Sequence, residues 1–122
     1  MSFLPAVQRE IQRLLPNDPI RITLEYMSQR AVGHRNPIPL HQIVAHLRAQ
    51  GIQITNTGFQ QTVLAGSRSA DYFIGSGSHG YFLIDTIDDA IVMRDFYETR
   101  IQAELQNLAN LRRQARLVNW NI

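Results

Sequence analysis

The chain has 122 residues, 44% of them hydrophobic and 18% charged, which suits one compact domain and excludes a disordered chain. Cysteine and lysine are both absent, and all twelve basic residues are arginine. Their absence removes disulfides, thiolate nucleophiles, zinc fingers, iron–sulfur clusters, phosphate-loop lysines and Schiff-base lysines. The longest apolar runs, 81–84 and 90–93, have four residues each, against about 20 for a membrane span. Met1-Ser2-Phe3-Leu4-Pro5 lacks a basic stretch followed by an apolar one, so no export signal and a cytoplasmic location are expected.

The net charge of +2 is unevenly spread. Residues 26–70 hold Arg30, Arg35, Arg48 and Arg68, three histidines and no acid. Residues 71–104 hold seven acids against Arg94 and Arg100, and residues 105–122 add Arg112, Arg113 and Arg116. A long stretch without a carboxylate is what a phosphate-facing surface requires.

Phe3, Val7, Ile11 and Leu14 recur at helical spacing, with Ser2 as N-cap and Pro16 as stop. A second helix follows the break Asn17-Asp18-Pro19, turns Ile22, Tyr26 and Met27 inward with Leu24 nearby, runs to about Val32 and ends at Gly33. The segment 34–39 holds two prolines and reads as an extended connector. Leu40, Ile43, Val44 and Leu47 fall at i, i+3, i+4 and i+7, with Pro39 in the first turn and Gly51 just past the end. Thr57-Gly58-Phe59-Gln60 has the Thr-x-x-Gln form of a capping box, opening a short helix with Phe59, Val63 and Leu64 inward and Gly66-Ser67 at its end.

Between Asp71 and Ile84, two aromatic and β-branched runs flank a Gly/Ser turn, the pattern of a β-hairpin. Thr86 then caps a final helix with Asp88 and Asp89 in its first turn, continuing to about Leu117 without a glycine or proline. The expected class is mainly α with a small β-hairpin (α+β). One domain is expected, with an N-terminal helix over 1–17, a core over 19–84 and a long C-terminal helix over 86–118.

Read in order, the helix over 40–50, the helix over 57–67 and the hairpin over 73–84 make residues 19–84 resemble the winged helix-turn-helix superfamily of DNA-binding domains. One departure is the connector 51–56, longer than the 3–4-residue turn of the simplest helix-turn-helix. The resemblance implies that the helix over 57–67 enters the major groove of double-stranded DNA while the hairpin touches the backbone or minor groove. Its outward face would then carry Gln61, Thr62, Ala65 and Arg68. Gln61 would pair with adenine, and Arg68 would read guanine or hold a phosphate. Asn56 and Thr57 would donate to a phosphate at the helix start, and Ser76, Ser78 and His79 would make the wing contacts. The alternative is a winged-helix adaptor that binds protein instead of DNA.

Gly75-Ser-Gly-Ser-His-Gly80 has the Gly-x-Gly-x-x-Gly form of a dinucleotide fingerprint, but a strand follows it where a helix must hold the pyrophosphate. His41 and His46 are five residues apart and diverge on a helix, and neither His34 nor His79 completes a ligand spacing. Asp85, Asp88 and Asp89 suit a helix start better than a cation. The chain is therefore expected to be no enzyme and to need no cofactor or metal.

A helix of about 30 residues would run about 45 Å, further than a small core can cover. Its stripe Ile101, Leu105, Leu108, Leu111 and Ala115 is expected to pair with a second copy, making a homodimer with two recognition helices; the alternative is that the helix over 3–15 folds back and covers the stripe within one chain. Such a protein would serve as a small transcriptional regulator or a mobile-element DNA-binding factor.

Overall fold

Five helices and one β-hairpin make up the chain, which is mainly α with a two-stranded antiparallel sheet. The computed structural model describes all residues 1–122, in two compact units, Met1–Ala90 and Ile91–Ile122.

In the first unit, α1 spans Leu4–Arg13 and buries Val7 and Ile11, with the Leu4 N–H donated to Ser2 Oγ at 3.0 Å. Phe3, expected inward, lies outside the helix and stays 42% exposed, edge-on to Phe73. Its backbone explains this: the Phe3 N–H is held by the Asp85 carbonyl at 2.8 Å. Helix α2 spans Pro19–Arg30, with Pro at its first position and Asp18 Oδ1 accepting the Ile20 N–H at 2.8 Å. It buries Thr23, Leu24 and Met27 and leaves Ile22 and Tyr26 at the margin, so the inward face is rotated from the expected one. Thr23 can sit inside because its hydroxyl donates to the Pro19 carbonyl at 2.7 Å.

Helix α2 stops short of Val32 because the chain there leaves to pair with the sheet, Val32 bridging Leu83. After the turn at Gly33, Ile38 and Tyr81 exchange backbone hydrogen bonds of 2.9 and 2.8 Å. The connector 34–39 thus lends one residue to the free edge of the hairpin. Helix α3, Leu40–Ala49, buries Ile43, Val44 and Leu47 as its spacing predicted. Gly51, at φ +89°, makes the turn after it.

Strands β1, Ile74–Gly77, and β2, Gly80–Leu83, pair antiparallel from Ile74↔Leu83 to Gly77↔Gly80, leaving Ser78-His79 as the loop. Gly80 has φ +131°, and a Cβ there would fall 2.1 Å from the Ile38 carbonyl oxygen. Only glycine admits both that backbone and that edge contact. The core of this unit is filled by Leu24, Met27, Ile43, Leu47, Phe59, Ile74 and Leu83, all at 0% exposure.

Helix α5 spans Ile87–Leu117, and its part from Ile91 onward with the tail to Ile122 forms the second unit. Asn119, at φ +63°, ends it, and the Trp120 N–H returns to the Ala115 carbonyl at 2.9 Å, the six-to-one bond of a Schellman turn. No helix is long and apolar enough to cross a membrane.

Candidate functional site

The helix that follows α3 is longer and less regular than its pattern predicted. Asn56–Gly58, a π-helical segment Phe59–Leu64 and Ala65–Ala70 run on as one rod over 56–70, here α4. Its cap is Thr55, whose Oγ1 accepts the Gly58 N–H at 2.9 Å, and not the expected Thr57-Gln60 box. The box fails because the helix begins before Thr57, which puts Thr57 inside the first turn. Gln60 is spent elsewhere: its Nε2 donates to the Tyr81 hydroxyl at 3.0 Å and ties α4 to the sheet. Phe59, Val63 and Leu64 point inward as expected, and Ser67, read as the helix end, is buried mid-helix.

Outward, α4 exposes Asn56, Thr57, Gln61, Thr62, Ala65 and Ser69, a polar face with no charge of either sign. Thr62 Oγ1 donates to the Gly58 carbonyl at 2.6 Å, which leaves Gln61 as the longest unengaged side chain of this face. Back-bonding of this kind loosens the regular ladder, and it falls where the π segment lies.

Arg68 is not part of the face. Its Nε donates to the Ile74 carbonyl at 2.9 Å, its Nη2 to Ser76 Oγ at 3.2 Å, and its guanidinium lies 4.9 Å from the Tyr72 ring centroid. The expected base reader is a strut between α4 and the hairpin, and Ser76, expected as a wing contact, is one of its anchors. The cause is position: two turns past Phe59, Arg68 has rotated toward β1, whose open backbone carbonyl attracts it. Ser78 and His79 remain exposed at the hairpin loop.

One cation of the acid-free stretch lies beside the α4 start, where the sequence reading had not placed it. Arg48, exposed at the end of α3, donates from Nε to the Ile54 carbonyl at 2.8 Å and lines a groove with Gln53, Thr55, Gly58 and Thr62. The signal was its place in the chain, one short connector ahead of the α4 start.

The histidines are dispersed. His34 faces Asp89; His46 stacks on Tyr26 with ring centroids 4.0 Å apart, and Arg30 lies 5.0 Å over the same ring. Burial, then the Arg30 charge, lower the His46 pKa. No three His, Asp or Glu side chains converge as metal ligands. Asp89 is 3% exposed, and burial alone would raise its carboxyl; four donors from His34, Asp85 and Thr86 outweigh that and hold it at about 2. It therefore closes the α5 start as the acid of a Thr-x-x-Asp box while fastening the loop after α2.

In the second unit, Ile101, Leu105 and Leu111 are 56%, 60% and 57% exposed and Leu108 is 40% exposed. Ala115, expected to extend this stripe, is 3% exposed, at the point where the C-terminal turn closes on its carbonyl. No protein-family model, curated protein or solved structure matches the chain.

Proposed function

We propose that this chain is a winged-helix protein that binds double-stranded DNA in a sequence-specific manner, without enzymatic activity, as a small transcriptional regulator or mobile-element factor. The observation that carries the reading is the Ile38–Tyr81 pairing. It puts a strand-like residue from between α2 and α3 on the outer edge of the hairpin that follows α4. Helix, edge residue, helix, helix, hairpin is the order that a winged helix-turn-helix requires. The acid-free stretch 26–70 supplies the electrostatic condition.

In this reading α4 lies in the major groove. Gln61 reads a base edge, and Ala65 and Thr62 give apolar and hydroxyl contacts. Asn56, Thr57 and Arg48 hold phosphates beside the helix start, and Ser78 and His79 meet the backbone from the hairpin loop. The stripe Ile101, Leu105, Leu108 and Leu111 makes the protein a homodimer. The reading carries a cytoplasmic location with it.

A second reading, a winged-helix adaptor that binds protein, is favoured by one observation: the α4 face is uncharged. A titration of generic duplex DNA at 50 and 200 mM salt separates the two. DNA binding predicts an affinity that falls steeply with salt, as phosphate contacts release counterions. Absence of binding at the lower salt would overturn the DNA reading and leave the adaptor.

A further inference from the structure

The exposed stripe of the second unit carries information about what covers it. Ile101, Leu105, Leu108 and Leu111 follow at steps of four, three and three, on one side of the helix. The other side carries Thr99, Gln102, Gln106, Asn110 and Arg113, with Gln106 Nε2 donating to Asn110 Oδ1 at 3.1 Å. A contiguous apolar strip bordered by a polar face is a contact surface.

Charge along this helix changes sign. Residues 91–104 hold Asp95, Glu98 and Glu104 with Arg94 and Arg100, whereas 105–118 hold Arg112, Arg113 and Arg116 and no acid. At about 100° per residue, Glu98 and Arg116 fall together on one edge of the stripe, beside Leu105, and Arg112 lies about 40° from them toward its middle.

We infer that the stripe packs against its own copy antiparallel, about a two-fold axis between Leu105 and Leu108. The inference rests on the homodimer reading above and gives it a direction. That axis reverses the helix and keeps each flank on its own side, so Glu98 comes beside the partner's Arg112 and Arg116, twice over by symmetry. A parallel pair would instead set the acid-free, arginine-bearing end of one helix level with the same end of the other and leave Glu98 far from the partner's Arg112 and Arg116. The contact that Glu98 already has, with Arg94 at 4.0 Å, is long and solvent-exposed and competes weakly.

The absence of native cysteine makes the test direct. In the full chain, Leu108→Cys and Ile101→Cys each place one thiol on the stripe. Antiparallel packing brings two copies of position 108 together and keeps two copies of position 101 about 17 Å apart along the axis. Mild oxidation should therefore link Leu108→Cys into a species of about 28 kDa, twice the chain mass of 14.0 kDa, and leave Ile101→Cys unlinked. Ile101→Cys linking as fully as Leu108→Cys would overturn the direction, and a dimer in which neither links would overturn the axis. Glu98→Arg should weaken dimerisation about tenfold, and adding Arg112→Glu and Arg116→Glu should restore it; a triple variant no tighter than Glu98→Arg overturns the charge pairing. Light scattering of the unaltered chain near 14 kDa would instead remove the homodimer reading itself.

Discussion

His34 gives Asp89 two hydrogen bonds, one from its backbone N–H at 2.9 Å and one from ring Nδ1 at 2.5 Å, across 55 residues of chain. The other carboxylate oxygen accepts the N–H groups of Asp85 at 2.9 Å and Thr86 at 3.1 Å. A carboxyl held at about 2 is ionised at neutral pH and has no proton to give, so Nδ1 is the protonated nitrogen of that pair. Asp89→Ala strands four donors and should cost about 3 kcal/mol, while Asp89→Asn keeps an acceptor and should cost less. Urea midpoints of the three proteins check the order.

The same carboxyl makes stability depend on pH. Its pKa lies near 2 in the folded chain against an ordinary 3.8, so its contribution is complete above about 5 and is lost as pH falls toward 2. The loss should reach about 2 kcal/mol. The stability gap between the unaltered protein and Asp89→Ala should accordingly narrow between pH 5 and pH 2; a constant gap would show that the carboxylate charge contributes nothing.

Gly80→Ala should unfold the hairpin edge. It strains a backbone at φ +131° and drives a methyl into the Ile38 carbonyl, which together should cost about 3 kcal/mol or more. Gly77→Ala, where a Cβ meets nothing within 4 Å, should change the melting temperature little. Comparable losses at both positions would contradict the close approach of Ile38.

Much of this fold was legible from spacing alone. Ile43, Val44 and Leu47 announce α3, and the Gly/Ser turn between aromatic runs announces the hairpin, because those signals are local. The misreadings are contacts that no periodicity encodes, whether six residues apart, as for Arg68 and Ile74, or 55, as for His34 and Asp89. Nothing near Arg68 indicates that Ile74 will offer it a carbonyl, and nothing near Asp89 indicates that His34 will arrive beside it. The Thr57–Gln60 box has the right local form, but the cap falls to Thr55, whose Oγ1 takes the Gly58 N–H, while Gln60 is drawn to the Tyr81 hydroxyl. The exposed stripe of α5 was visible in its apolar spacing, except at Ala115, where the returning Trp120 turn intervenes.

Arg68→Ala should lower stability by about 1–2 kcal/mol, because it removes a charged donor from two acceptors and a cation from the Tyr72 ring. Its effect on DNA should be a modest loss shared by all sequences, through a loosened hairpin. A loss confined to one base position, with stability unchanged, would return Arg68 to the reading face.

Gln61→Ala should act in the opposite way. Stability should hold, and, under the proposed DNA reading, affinity for duplex should fall by about 1–3 kcal/mol with relaxed preference at one position. Replacing Ser78 and His79 with aspartate should weaken every duplex alike, since charge beside a phosphate carries no sequence information. Selection from random duplexes, run with each variant, reads both outcomes.

The π segment Phe59–Leu64 interrupts the regular winding of α4 between Asn56–Gly58 and Ala65–Ala70. A helix with such a turn holds one residue more than regular winding needs. Deleting one residue there should relax the segment to regular α winding and keep Asn56 and Thr57 on the outward face with Ala65 and Ser69, whereas a deletion outside it would swing the flanking residues by about 100°. The segment 59–64 thus holds one residue of slack in chain length that a regular helix lacks.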